Sequence, residues 1–280
     1  MRSFVREKRV TISDFQEVNL FNRNDFQDMA VKEPRKKQKV TQPKNQTFND
    51  KKSANYFYLL AQQFKQGDFH ITLTYNALFL PETPELAKKE LDNFFRRLKS
   101  RLQKKNVPLK FLAVTEYKLD DEGNYTQRIH HHVLIKREAT NKAKDNGVTL
   151  EDILACWMKG TRWKKKSMGI VETDIIQVLD ETQGIEDLVK YLTKGNRHKK
   201  GQRIWTASRN LERPMEHPKR DRKFSMRKLA QMCLSNSLKE DLAKEYIEWD
   251  IFHCKAFYSE YDGWHVKLRM RKRKRKVKKK

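Results

Sequence analysis

The run Arg128-Ile129-His130-His131-His132-Val133-Leu134-Ile135 constrains this chain more than any other stretch. Three histidines stand among apolar and β-branched neighbours, a composition that predicts a strand. Side chains alternate faces along a strand. His130 and His132 therefore share one face, roughly 7 Å apart at Cα, and His131 takes the other. Two imidazoles on one face can converge on a single divalent cation. They can equally be satisfied by hydrogen bonds inside a core. The upstream residues bear on the choice.

Phe111-Leu112-Ala113-Val114-Thr115-Glu116-Tyr117 is a second strand-like run. The connection to the histidines has a turn-forming tip, Asp121-Glu122-Gly123-Asn124. A hairpin centred on Gly123 sets Glu116 opposite His130 and diagonal to His132, with opposed Cβ atoms about 5 Å apart. A carboxylate with two imidazoles suits Mg²⁺, Mn²⁺ or Zn²⁺ and leaves positions open for substrate. A slip of one residue would turn Glu116 to the wrong face and leave it to a surface ion pair.

The charge points to a partner. Against 36 Asp and Glu stand 62 Lys and Arg, a formal net charge of +26 over 280 residues. That balance calls for a polyanion. No apolar run approaches the roughly 18 residues of a membrane span, and the N-terminus lacks the apolar core of a signal peptide. Cys156, Cys233 and Cys254 are too widely spaced for a disulfide framework. Nucleic acid is therefore expected rather than a membrane, in a cytoplasm.

Other segments read as follows. Residues 1–50 are polar, without sustained periodicity, and are expected to be a flexible basic arm. Tyr56, Leu59, Leu60 and Phe64 predict a helix. Residues 69–75 alternate strictly, with Phe69, Ile71, Leu73 and Tyr75 on one face and His70, Thr72 and Thr74 on the other. The hydroxyls of Thr72 and Thr74 could contact phosphates. Thr83 and Pro84 open a helix whose apolar stripe is Leu91, Phe94, Phe95, Leu98 and Leu102. Residues 149–152 resemble a capping box. Trp163, Lys164 and Lys165 are expected in a basic, aromatic loop suited to single-stranded nucleic acid, and residues 170–179 in another strand.

The helix expected over residues 182–194 carries an apolar stripe of Ile185, Leu188, Val189 and Leu192. At about 100° per residue, Tyr191 lies roughly 110° from the centre of that stripe, poorly placed for a core. Lys194 lies on the same flank, and Lys190 is also off the stripe. A phenol beside an ammonium is a plausible nucleophile pair, since a nearby cation favours phenolate and a metal stabilises developing charge on phosphate. Without the metal motif, the same pair would read as an exposed tyrosine and a surface lysine.

His130-His131-His132 resembles the His-hydrophobic-His motif of the HUH endonuclease superfamily, in its rolling-circle replication initiators. Tyr191-Leu192-Thr193-Lys194 is similar to the single-tyrosine YxxK motif of that family, and residues 69–75 to its first, threonine-rich motif. Glu116 stands where related phage and plasmid initiators carry a third ligand. Residues 205–211, with Arg209, resemble a segment that follows the tyrosine helix in phage-type members. The likeness covers residues 55–212 in family order. His131 departs from the pattern, whose middle position is usually apolar. Asp187, four residues before Tyr191, shows that the two-tyrosine motif is absent.

The resemblance implies an α+β fold, with a central antiparallel sheet of about five strands and flanking helices over residues 51–212. It implies Mg²⁺ or Mn²⁺ held by His130, His132 and Glu116, and single-stranded or extruded origin DNA over the sheet. It further implies that Tyr191 attacks the scissile phosphate, becomes joined to the 5′ phosphate and leaves a 3′ hydroxyl for synthesis, with Lys194 neutralising the phosphate. Thr72, Thr74, Trp163, Lys164, Lys165, Lys190 and Arg209 are the expected DNA contacts. Host helicase and polymerase are the further expected partners, in a bacterial host.

Residues 213–265 are expected to be a helical, aromatic appendage, and residues 266–280 a disordered Lys/Arg tail that binds phosphate by counterion release. Cys233, His253, Cys254 and His265 have poor spacing for a zinc site. Three rival readings stay open: a transposase or relaxase of the same superfamily, a water-using metal-dependent phosphodiesterase, and a non-catalytic basic nucleic-acid-binding protein.

Overall fold

Local pattern accounts for most of the elements in the computed structural model. It describes residues 2–29, 36–44, 46–120, 122, 124–137, 147–161, 163–178, 184–194, 203–221 and 223–273. Along the chain come β1 (Ser3–Ile12), β2 (Phe15–Asn24), α1 (Asp25–Met29), β3 (Gln38–Lys39), α2 (Lys51–Ala61), β4 (Phe69–Leu73), α3 (Pro84–Gln103), β5 (Phe111–Leu119) and β6 (Tyr125–Ile135). There follow α4 (Leu150–Leu154), β7 (Met158–Thr161), β8 (Lys164–Ser167), β9 (Val171–Ile175), α5 (Glu186–Thr193) and β10 (Trp205–Ala207). The chain closes with β11 (Met215–Glu216), α6 (Met226–Leu234), α7 (Leu238–Glu245), β12 (Trp249–Ser259) and β13 (Gly263–Lys272). The fold is α+β, in two units: residues 42–178 with 185–211, and residues 1–41 with 179–184 and 212–280.

The first of these units holds a five-stranded antiparallel sheet of order β10-β5-β6-β4-β9. Its core face carries Phe69, Ile71, Leu73, Ala113, Val133 and Ile135, and α3 covers it. Thr83 caps α3 by accepting from the Leu86 amide at 3.3 Å, and Pro84 fits the first turn, where no intrahelical donor is required. The stripe Leu91, Phe94, Phe95, Leu98 and Leu102 is buried, worth about 1.5–3 kcal/mol for each large side chain. Strand β9 is shorter than the expected residues 170–179, of which 179 lies outside the described residues. The tip at Gly123, the loop at residues 141–146 and the expected helix start at 182–183 lie outside them too.

The expected loop at residues 163–166 is instead part of a two-stranded hairpin, β7 with β8. Gly160 permits it: a Cβ there would stand 2.1 Å from the Lys164 carbonyl oxygen, at a φ of +129°. The cross-strand ladder thus overrides the loop-like composition, a lysine run being compatible with an exposed two-stranded ribbon.

The other unit corrects two expectations. Residues 3–24 are not a flexible arm but the hairpin β1–β2, and residues 266–272 are not a disordered tail but most of β13. Both belong to a six-stranded sheet of order β12-β13-β2-β1-β11-β3. Val5, Val18, Leu20, Val266, Leu268 and Met270 form its apolar face, against Leu229 and Met232 of α6 and Leu242 of α7. The expected helical appendage therefore holds two helices together with the long hairpin β12–β13. Charge disguised these strands, because charged side chains are buried in pairs between the apolar ones. The Arg6 guanidinium donates twice to Asp221 at 2.7 Å, Tyr246 donates to Glu7 at 2.6 Å, and Lys267 lies 3.0 Å from Glu17. Residues 274–280 of the tail lie outside the described residues.

The capping box read from the sequence ties α4 to α3. Thr149 and Asp152 exchange hydrogen bonds, and the buried Asp152 carboxylate also accepts from Arg101 at 2.6 Å and Lys105 at 2.8 Å. Burial opposes its charge, but the Lys105, Arg101 and Thr149 bonds prevail and bring its pKa down to about 2 from 3.8. A carboxyl depressed by folding stabilises above its unfolded pKa and loses that contribution as pH falls through the folded value. Asp152→Ala should cost about 2 kcal/mol of stability in urea unfolding at neutral pH, since both cations are partly solvated. The difference between variant and parent should shrink as pH drops from about 4 toward 2.

Candidate active site

The site face of the five-stranded sheet is set by register. Glu116 pairs with His130, Val114 with His132, and His132 in turn with Thr72. Glu116, His130, His132, Thr72 and His70 therefore share one face, and His131 faces the core.

His131 is buried, and both its nitrogens are satisfied: Nε2 lies 2.8 Å from the Tyr75 hydroxyl and Nδ1 2.9 Å from the Thr115 hydroxyl. Burial brings its pKa down to about 3, so the ring is neutral. These two hydroxyls let a histidine occupy a position that would otherwise suit an apolar residue.

Nε2 of His132 lies 3.4 Å from Glu116 Oε2, and Nε2 of His130 lies 3.7 Å from it. One ligand atom from each of the three residues lies within 4.8 Å of the others, so the cluster could hold a metal ion. The second ring nitrogens are used for orientation. His130 Nδ1 lies 2.9 Å from the Arg128 carbonyl and His132 Nδ1 lies 3.2 Å from Thr72 Oγ1, which leaves each Nε2 turned to the site. His132 Nε2 is buried and makes no hydrogen bond. A buried, orphaned imidazole nitrogen beside a carboxylate is the donor set a divalent cation would satisfy, and Mg²⁺, Mn²⁺ and Zn²⁺ all accept it.

The electrostatics agree. The facing imidazoles of His130 and His132 hold the Glu116 carboxyl well below the usual carboxylate range. Burial works against the His130 cation, but Glu116, the Arg128 carbonyl and Glu172 outweigh it and raise its pKa. The cluster is therefore charge-separated and ready to exchange protons for a cation.

Tyr191 comes from α5. Its ring meets the His132 ring edge-on, with centroids 5.4 Å apart, and the residue is 55% exposed. Val189 and Leu192 bury the opposite side of the helix. Glu186, in the first turn, is buried and accepts a hydrogen bond from the Tyr58 hydroxyl of α2. Lys194 is exposed at the C-terminal end of α5, and Lys190 is exposed and paired with Asp187 at 2.9 Å.

The other expected contacts divide. Thr72 orients His132, and Thr74 both donates to and accepts from the backbone of Ile170, at 3.1 and 3.0 Å. Trp163 is 85% exposed at the β7–β8 tip beside exposed Lys164 and Lys165, and Arg209 is exposed after β10. A cleft of about 380 Å³ opens next to His130, lined by Thr74, Asn76, Arg128 and Ile170 among others.

Sequence reasoning passed over His70 as a site residue. It stacks on His132 with centroids 5.5 Å apart, and burial beside that ring lowers its pKa to about 4. The signal was its place with Thr72 on the polar face of an alternating strand.

No match to the chain was found among curated proteins or solved structures. The family model of the ORF2-type replication-associated protein matches residues 68–196, the segment that runs from β4 past α5 and contains Glu116, His130, His132 and Tyr191. Over that segment the chain is similar to replication-associated proteins, and the similarity supports a role in starting replication.

Proposed function

We propose that this protein is a rolling-circle replication initiator that nicks and rejoins single-stranded or extruded origin DNA through Tyr191, in the cytoplasm of a bacterial host. The observation that carries the reading is the meeting of an exposed phenol with the Glu116–His130–His132 cluster, 5.4 Å from ring to ring at His132. The replication-associated match over the same residues favours this substrate over a transposase or relaxase role.

Glu116, His130 and His132 would hold Mg²⁺ or Mn²⁺, which supplies Lewis acidity toward the scissile phosphate. Tyr191 Oη attacks phosphorus in line; the Oη–P bond forms and the P–O3′ bond breaks. The phenolic proton is lost from Tyr191 and the departing 3′ oxygen gains one, so the step is a balanced transesterification. The 3′ hydroxyl then primes synthesis, and its attack on the phosphotyrosine reverses the reaction and joins ends. Lys194 neutralises phosphate charge and favours the phenolate. Thr72 and the Arg128 carbonyl keep the imidazoles aimed. Trp163, Lys164, Lys165 and Arg209, with Lys190, hold the flanking strand through stacking and phosphate contacts. Helicase and polymerase of the host would extend the new 3′ end.

Two outcomes test the reading. Tyr191→Phe should abolish the covalent protein–DNA band on a denaturing gel while single-strand binding stays within about twofold; an adduct that survives rejects the assignment. Joint replacement of His130 and His132 by alanine should remove calorimetric Mn²⁺ binding and metal-dependent nicking together. Cleavage that persists unchanged in a chelator would reject the metal role.

A further inference from the structure

The six-stranded sheet has one face under α6 and α7 and another with a different composition. Two cross-strand rows run side by side there. In the first, Phe257 of β12 pairs with His265 of β13, and His265 with Phe21 of β2. The three rings are nearly parallel: Phe257 and His265 lie 4.7 Å apart at 8°, and His265 and Phe21 lie 6.1 Å apart at 10°. Phe257 ends the row 51% exposed. In the second row Lys255 pairs with Lys267, Lys267 with Asn19, and Asn19 with Lys8.

Neither row is explained by the stability of the sheet. The apolar core of this unit lies on the opposite face, so the exposed Phe257 ring buries little. Lysines directly opposite each other destabilise an antiparallel pair. Lys267 is relieved by Glu17 at 3.0 Å and Lys8 by Glu216 at 3.3 Å, whereas Lys255 is exposed and makes no ion pair among the described residues. An aromatic ladder with one open ring face, beside a row of cations, fits a chain of aromatic bases joined by phosphates. The rows lie two residues apart along the strands, roughly 7 Å. A base stacked on Phe257 would thus carry its phosphate over Lys255 and Lys267. A duplex hides its base faces and could use only the cations.

We propose that this face is a second single-strand DNA site, outside residues 68–196, where an unpaired base stacks on Phe257 and the lysine row takes its phosphates. The choice of DNA over RNA rests on the replication reading above; the stacking and charge arguments do not.

The test uses the full-length chain without added metal and a labelled oligothymidylate that lacks any origin sequence, read by fluorescence anisotropy. Phe257→Ala should weaken binding about tenfold. Phe257→Trp should keep the parent affinity, which separates stacking from a folding defect. Lys255→Ala should lower the slope of log affinity against log salt by about 0.7. Photo-crosslinking of an iodouracil-substituted oligonucleotide should label the peptide that contains Phe257. Unchanged binding in Phe257→Ala, equal weakening in Phe257→Trp, equal competition by a blunt duplex, or stronger competition by oligouridylate would each overturn the proposal. Adduct formation at Tyr191, measured in parallel, reports only on the nicking reading, so the two can fail separately.

Discussion

The cross-strand pairing of Glu116 with His130 is the constraint on which the candidate site depends. It turns two residues far apart in the chain into neighbours and leaves the diagonal place for His132. The ladder is irregular just beyond Glu116, toward the turn, so the turn is a poor device for fixing this register. The inner rows fix it instead, Leu112 with Leu134 and Ala113 with Val133, all buried. A slip of one residue would send the buried set of β6 to the wrong face at a cost of several large side chains. His131 adds a second pin, because a slipped ring would leave the buried hydroxyls of Tyr75 and Thr115 without it. The geometry of the ligand set is thus held by the core rather than by the ligands.

The same logic governs the charge. A chain at +26 repels itself, and much of its cationic surface is answered locally. Arg101 and Lys105 converge on Asp152, Lys159 on Glu90, and Arg6 on Asp221. The cations left exposed without such partners, Lys164 and Lys165 at one hairpin and Lys255 on the second sheet, are the ones with aromatic rings beside them. Stacking groups and unneutralised cations together suit unpaired nucleic acid better than duplex alone, which needs only the charge.

What the sequence disclosed follows from how local each signal is. Residues 69–75, the histidine run and the α3 stripe alternate or repeat without interruption, because each buries one clean face, and they were legible. The Glu116–His130 register was legible because hairpin symmetry converts a turn centre into a pairing table. The second unit was not. In β1 and β2 the alternation is broken by Arg6, Glu7 and Glu17, which are buried only because Asp221, Tyr246 and Lys267 meet them from more than 200 residues away. No window of sequence contains both partners, so a buried ion pair reads as two solvated charges. The lysine-rich β8 and the strand at residues 266–272 were mistaken for loop and tail for a related reason. Composition reports what a segment would do alone, and a ladder to a distant strand decides otherwise.

The nucleophile depends on a different kind of support from the ligands. Helix α5 has eight residues and no side-chain cap at its start, so it is marginal by itself. Its orientation comes from Val189 and Leu192 in the core and from the buried hydrogen bond between Glu186 and Tyr58. Glu186 also places negative charge in the first turn, where the helix dipole favours it. Tyr191 lies one turn and a half along from that anchor, so a small rotation of α5 moves the phenol far more than it moves the helix axis. A strand-borne cluster fixed by the core and a phenol borne on a short, singly anchored helix form an asymmetric pair. The ligands stay in place while the nucleophile can swing, as nicking and rejoining require of an oxygen that must be delivered to a phosphate, released from it and offered again.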